Sequence, residues 1–221
     1  QGIAHYAGII EDNALLTYKN RQFISVIKGV PSNFNQISGI DTLIINGKFI
    51  LEQDETSFAV PGLGVASYLG IDINASEPIQ VYVPKKGLKT SLNPSNMLNF
   101  NYIIPSGVFS LLEEVDARTM FVPVSFASRL FESENKVSAL EIKTTEGASE
   151  KKIRKLLENK IGADYYIKNK YQQHDTLYKT MQSEKWVTYL ILAFILVIAS
   201  FNILGSLSML IIDKKEDIVI L

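Results

Sequence analysis

Apolar positions change their spacing along this chain. In the first half they fall in short β-type runs rich in Ile, Val, Tyr and Phe: Tyr6–Ile10, Ala14–Lys19 and Gln22–Val30. The Lys19–Asn20–Arg21 break predicts a hairpin turn, and Pro31–Ser32–Asn33 ends the third run. Thr42–Ile45 reads as a further strand closed by Asn46–Gly47, a strong turn dipeptide. Ser57–Val60 leads through Pro61 to Leu63, Ala66 and Leu69 at helical spacing, with Gly70 placed to stop the helix. Ile79–Val83 and Asn99–Ile104 read as two strands that pair across the polar segment Lys85–Asn96, which exceeds the usual hairpin loop and is a candidate functional loop. Glu113–Glu114 reads as a charged turn, Thr119–Pro123 as a strand and Ser125–Phe131 as a short helix. Val137–Lys143 alternates as a strand does. Ser149–Ile161 carries Ile153, Leu156, Leu157 and Ile161 on one helical face before Gly162, and Asp164–Lys168 reads as a strand completing a small α/β layer.

The pattern then becomes continuous. From Trp186 to Ile212 there are 27 residues without a charge, histidine or proline. A bilayer core of roughly 30 Å needs about 20 residues of helix, so this run is read as membrane-spanning, with Trp186 and Tyr189 at its interfacial end. Leu177, Met181 and the residues after them join it in one long helix. The expected fold is therefore α+β: an extracytoplasmic mixed β-sheet domain with short helices, in two subdomains, followed by one long helix that becomes transmembrane. The boundaries read as residues 1–175 for the domain, 176–212 for the helix with its span at 186–212, and 213–221 for the start of a further segment. The first residue is Gln1 and no signal-peptide pattern follows it, so the sequence reads as an internal piece of a longer protein.

Composition narrows the function. The formal net charge of the 221 residues is −1, which argues against a nucleic-acid binder held by bulk positive charge. Cysteine is absent, excluding disulfides, thiolate metal sites and cysteine nucleophiles. The two histidines, His5 and His174, are far apart in sequence, and no HExxH, P-loop, EF-hand or GxSxG pattern occurs. Gly62 and Gly64 stop short of a GxGxxG loop because Ser67 stands at the third position; they read as small residues that let a short helix lie close on a sheet. No catalytic, metal or cofactor site is expected. The basic face of the 149–161 helix (Lys151, Lys152, Arg154, Lys155, Lys160) reads as solvated, with anionic headgroups as the alternative.

Within the span, Ala199, Asn202, Gly205 or Ser206, and Met209 recur at helical spacing as one polar, small-residue stripe. In lipid Asn202 seeks a hydrogen-bond partner and Gly205 permits close approach, so a second transmembrane helix is the expected partner.

The pieces MQSEKW, ASFNILGSLSML and DKKEDIVIL between Lys179 and Leu221 resemble the second transmembrane helix of lipoprotein-releasing (Lol-type) ABC-transporter permeases. IKGV at Ile27–Val30, GKF at Gly47–Phe49 and GLGVASYLGI at Gly62–Ile71 resemble that family's extracytoplasmic domain in the same order; these upstream motifs are shared with macrolide-exporter and cell-division-type permeases. Asp72–Pro78 departs from the Gly-Asp turn usual in the family. The resemblance implies a bacterial inner-membrane permease with residues 1–185 periplasmic, a separate cytoplasmic ATP-binding subunit, and a second permease copy, identical or related. It also implies a lipoprotein cargo and a periplasmic lipoprotein carrier. The loop matching a carrier hook is Gly87–Met97, where Leu88, Leu92, Pro94 and Met97 are the apolar and proline positions. The segment that would couple to the ATPase contains Lys214, Lys215, Glu216, Asp217 and Leu221. Two other readings stand: a macrolide- or peptide-exporting or cell-division-type permease, and a single-pass receptor with an extracytoplasmic sensor domain.

Overall fold

The computed structural model describes residues 2–75, 77–85, 97–134, 136–145, 147–161, 165–169, 172 and 175–219. The chain divides into two compact units, Gln1–Glu150 and Lys151–Leu221.

The first unit begins with β1 (Ile3–Tyr18), which turns at Lys19–Asn20 into β2 (Arg21–Val30). A 3₁₀ turn at Ser32–Phe34 leads into helix α1 (Asn35–Ser38), a second at Ile40–Leu43 into β3 (Ile44–Gly47). Then come β4 (Glu52–Gln53), β5 (Thr56–Pro61), α2 (Leu63–Leu69), β6 (Ile79–Pro84), β7 (Leu98–Pro105) and β8 (Gly107–Phe109). The unit ends with α3 (Glu113–Asp116), β9 (Thr119–Pro123), α4 (Val124–Leu130) and β10 (Ala139–Thr144). The mixed sheet runs β10-β1-β2-β9-β5-β7-β6, and β6 returns to pair with β1. Six strands thus close into a circuit, which leaves β1, β2, β9, β5, β7 and β6 each with a neighbour on both sides and removes free edges. β2–β9 and β5–β7 are parallel and the other pairings of the circuit antiparallel.

β1 explains how one strand serves two cores. Ala14, Leu16 and Tyr18 are buried with Ile27, Ile79, Val81, Ile103, Met120 and Phe126. Ala7 and Ile9 are buried with Val30, Phe34, Val60, Phe109 and Phe121. Even and odd positions of a strand face opposite ways, so the change of parity after Ile9 sends the two halves of β1 into different cores. The two runs expected at Tyr6–Ile10 and Ala14–Lys19 are therefore one strand. The polar Glu11–Asp12–Asn13 between them stays in the ladder, opposite Lys28, Ile27 and Val26.

Lys19 takes a φ of 53° in the β1–β2 turn, whereas the turn expected at Asn46–Gly47 is not formed: Gly47, at a φ of 73°, is the last residue of β3 and pairs with Gly107. Gly70 caps α2 in the left-handed conformation with a φ of 70°. Glu113 and Glu114 do not lie in a turn: they open α3. The buried Asp116 carboxylate accepts from Ser110 Oγ at 2.8 Å and from the Leu111 N–H at 2.8 Å, which ties α3 to the end of β8. Gly62 bridges Phe109 of β8 and donates its N–H to the Thr119 carbonyl of β9, and a Cβ at Gly62 or Gly64 would collide with the backbone of Asp116 and Ala117.

The second unit contains α5 (Glu150–Ile161) and α6 (Asp175–Val219), a helix of 45 residues. The strand expected at Asp164–Lys168 is not formed: Tyr165–Lys168 lie in a bend and irregular backbone, and Asp164 lies outside the described residues. Tyr165 and Tyr166 have high strand propensity. Propensity alone forms no strand without a ladder partner, and among the described residues this segment has none.

Candidate functional site

Among the described residues no group of three or more His, Asp or Glu side chains is placed to hold a metal ion. The features with functional geometry are surfaces: one hairpin with the barrel wall beside it, and one helix.

β6 and β7 pair antiparallel from Ile79–Ile103 to Pro84–Leu98, and the Lys85 N–H donates to the Met97 carbonyl at 2.8 Å. That bond closes the base of the long loop, so the two flanking strands pair as the sequence predicts. Met97 is half-buried at this base. Gly87, Leu88, Leu92 and Pro94 lie outside the described residues.

Beside this hairpin the outer wall of the circuit has a feature the sequence reading missed. The register aligns Ile24 with Leu15, Leu15 with Tyr82, and Tyr82 with Phe100, a row across four strands. The next row aligns Gln22, Thr17, Gln80 and Tyr102. None of these eight positions is charged. Ile24 is 67%, Phe100 57% and Tyr102 51% exposed. The rings support one another: Tyr82 and Phe100 lie 5.7 Å apart, and Phe100 meets Tyr102 edge-on at 5.9 Å. The Tyr82 hydroxyl donates to Gln80 Oε1 at 2.6 Å, and the buried Thr17 Oγ1 has no hydrogen-bond partner among the described residues. An uncharged aromatic face rimmed by amides suits contact with a protein surface better than with a charged ligand. Its signal was present in the sequence as alternation in β7, where Leu98, Phe100 and Tyr102 are all large and apolar at every second position. Only the pairing register shows that Ile24 and Leu15 extend that stripe.

α6 is uninterrupted from Asp175 to Val219, including at Glu184, and Ser183–Lys214 is long and apolar enough to cross a membrane. Its polar groups differ. Thr188 Oγ1 donates to the Glu184 carbonyl at 2.9 Å and Ser200 Oγ to the Leu196 carbonyl at 2.8 Å, each satisfied one turn back within the helix. Asn202 makes no side-chain hydrogen bond among the described residues. The continuous helix places Ala199, Asn202, Gly205, Ser206 and Met209 within one face, all exposed, and a Cβ added at Gly205 would meet nothing within 4 Å. Lys214 is exposed. Lys215, Glu216 and Asp217 continue the helix, and Leu221 lies outside the described residues.

No family model matches the sequence. The chain is 29% identical over 163 residues to the lipoprotein-releasing system transmembrane protein LolC of Buchnera aphidicola, an alignment covering 72% of the chain and 39% of that relative. The chain thus matches well under half the length of this relative. Among solved structures, the periplasmic region of MacB from Actinobacillus actinomycetemcomitans superposes with a TM-score of 0.53 at 14% identity, covering 82% of this chain and 77% of that one. The extracellular domain of the noncanonic ABC-type transporter YknZ from Gram-positive bacteria gives 0.51 at 14% identity, covering 74% and 79%. The chain therefore has the mixed α+β fold of the extracytoplasmic domains of ABC-type transporters, and it continues into a helix long enough to cross a membrane.

Proposed function

We propose that this chain is the extracytoplasmic domain and a transmembrane helix of an ABC-transporter permease, and that its transporter releases lipoproteins from the bacterial inner membrane. The observation that carries this reading is a combination found in one chain. A domain with the ABC-type extracytoplasmic fold leads into an unbroken helix, and over 72% of the chain the sequence is 29% identical to a lipoprotein-releasing system transmembrane protein. In this reading residues 1–185 are periplasmic, and residues 213–221 begin the segment that docks on a cytoplasmic ATP-binding subunit. A second permease copy packs against the Asn202–Gly205 face.

The mechanism is mechanical. In this reading the chemistry lies outside this chain, and ATP hydrolysis belongs to the partner subunit. Movement imposed at Lys214–Asp217 passes along α6, which at ~1.5 Å per residue is about 68 Å long, into the outer domain. Lipid chains are expelled from between helices, and the Gly87–Met97 loop, with the Tyr82–Phe100–Tyr102 face at its root, receives the soluble lipoprotein carrier.

The test is co-purification of the intact protein in mild detergent, with companions identified by mass. A stoichiometric P-loop ATPase is the expected result. A signalling kinase in its place overturns the reading in favour of a single-pass receptor. Leu92→Asp and Phe100→Asp each reduce capture of the carrier while the domain stays folded; full capture by both removes the docking assignment. A second reading within the same superfamily is export of a macrolide or peptide, which the upstream motifs shared with exporter-type permeases leave open. It predicts that the periplasmic companion is a component of an efflux channel and not a lipoprotein carrier.

A further inference from the structure

Helix α5 carries five basic residues against two acidic ones. Its exposed acid, Glu158, is already engaged by Arg154 at 2.8 Å. Lys151, Lys152, Lys155 and Lys160 are exposed and have no ion pair among the described residues. Lys151, Lys155 and Asn159 recur at i, i+4 and i+8, so they share one outward face opposite the buried Ile153 and half-buried Leu157. Exposed apolar groups accompany the lysines: Leu156 on the helix, one turn after Lys152, and Tyr165 and Tyr166 a few residues further along the chain, the latter 93% exposed. Lysines flanked by exposed Leu and Tyr are the composition of a surface that meets headgroups.

The same unit fixes where this helix lies along the chain. Arg154 Nη1 donates to Gln172 Oε1 at 3.4 Å, and Gln172 exchanges hydrogen bonds with Asn169 at 2.8 and 3.1 Å. α6 starts three residues later. From Asp175 to Ser183, where the apolar span begins, the helix rises only ~12 Å. The 32-residue span is ~48 Å long, about the full bilayer thickness with its headgroups, so Ser183 lies at headgroup level.

We propose that α5 is a membrane-surface helix, its Lys151–Lys152–Lys155 face held by the headgroups of anionic phospholipids in the leaflet that α6 enters. The occupant follows from charge complementarity and from the short connection to the span. This inference rests on α6 crossing a bilayer and is independent of the cargo.

The chain has no cysteine and one tryptophan, which makes the test direct. The full chain carrying Asn159→Cys is labelled with a fluorophore and placed in nanodiscs containing headgroup-spin-labelled lipid, with or without about one third phosphatidylglycerol. Quenching of Trp186 in both disc types reports insertion of α6 by itself. The expected result is about threefold stronger quenching of the 159 label in anionic discs, reduced to the neutral-disc level by high salt, as screening requires. The K151E/K152E/K155E variant is expected to abolish the difference, and K151Q/K152Q/K155Q, which keeps helix-forming side chains, to weaken it. Equal quenching of the 159 label in both disc types overturns the proposal, as does a gain that survives both salt and charge reversal. Loss of Trp186 quenching overturns instead the membrane reading of α6.

Discussion

In the closed strand circuit Leu16, Ile27, Val81 and Met120 are fully buried, whereas Leu190, Leu196 and Leu210 of α6 each leave 60% or more of their surface exposed. Both regions are rich in the same aliphatic side chains, but they bury them differently. In β6 and the second half of β1 the circuit points alternate residues inward, and the outward ones include Thr17 and Gln80 besides the aromatic row. Between Trp186 and Ile212 α6 carries no charge on any side and has no polar face wide enough to meet water. A helix of that kind is stable only where its surroundings are also apolar. The comparison can be broken with one truncation in each region. Leu16→Ala should destabilise the domain by about 2–5 kcal/mol, the usual cost of a cavity in a packed core. Leu196→Ala should leave the domain's unfolding midpoint unchanged. Chemical denaturation of the full chain in detergent, followed by the domain's near-ultraviolet signal, reads both. Equal losses would mean that α6 packs into the domain's core.

The two regions were also unequally legible. The long helix needs only a count of residues without charge, because the bilayer sets its length independently of any other part of the chain. Strands such as Thr119–Pro123, and the helix at Leu63–Leu69 with its Gly70 stop, were readable from local pattern for a similar reason: their signals are short-range. What local pattern could not give was pairing. Nothing in residues 3–18 announces that the inward parity changes after Ile9, or that β6 returns to β1. The β6–β1 pairing joins residues more than sixty positions apart, and the parity change needs two separate cores that no local window shows. The uncharged face was hidden for the same reason, since Ile24 and Phe100 become neighbours in one row only through Leu15 and Tyr82. Tyr165–Lys168 erred the other way: strand-forming side chains without a strand beside them.

Glycine sharpens the comparison at smaller amplitude. At Gly62 a methyl group would meet the backbone of Asp116, which is anchored by its carboxylate to Ser110 and Leu111 and cannot move aside cheaply. Gly62→Ala should therefore cost about 1–3 kcal/mol by overpacking. At Gly205 the added methyl meets nothing, and alanine is the better helix former by about 1 kcal/mol. Gly205→Ala should leave domain stability unchanged and weaken only association with another transmembrane helix, the interaction a glycine there would permit. Thermal unfolding checks the first, and energy transfer between labelled copies in micelles checks the second. A loss of domain stability from Gly205→Ala would place that residue against protein and not lipid.

The smallest expected effect separates two lysines of the domain. Lys28 is half-buried: its Nζ meets Glu141 Oε1 at 2.6 Å and lies 5.5 and 5.8 Å from the rings of Phe34 and Phe121. Lys19, at the tip of the β1–β2 hairpin, reaches Glu77 at 3.0 Å, but both side chains are about half exposed. The hydrogen bond from Lys19 to Glu77, and then the charge of Glu77, hold the Lys19 ammonium above its ordinary pKa. A raised lysine contributes stability that is complete below its unfolded value and is lost as pH climbs through the raised one. The window is therefore alkaline, beyond the ordinary lysine range, and neutral pH leaves the pair intact. Solvent and salt screen an exposed pair of this kind. Lys19→Met should accordingly leave the melting midpoint at neutral pH unchanged and should flatten only the alkaline edge of the stability profile. Lys28→Met should lower the midpoint at neutral pH, because it leaves Glu141 without its cation and takes the ammonium from two aromatic faces. Melting curves of the two variants from neutral to strongly alkaline pH test this. A neutral-pH loss for Lys19→Met as large as that for Lys28→Met would show that the hairpin tip is held far more firmly than its exposure implies.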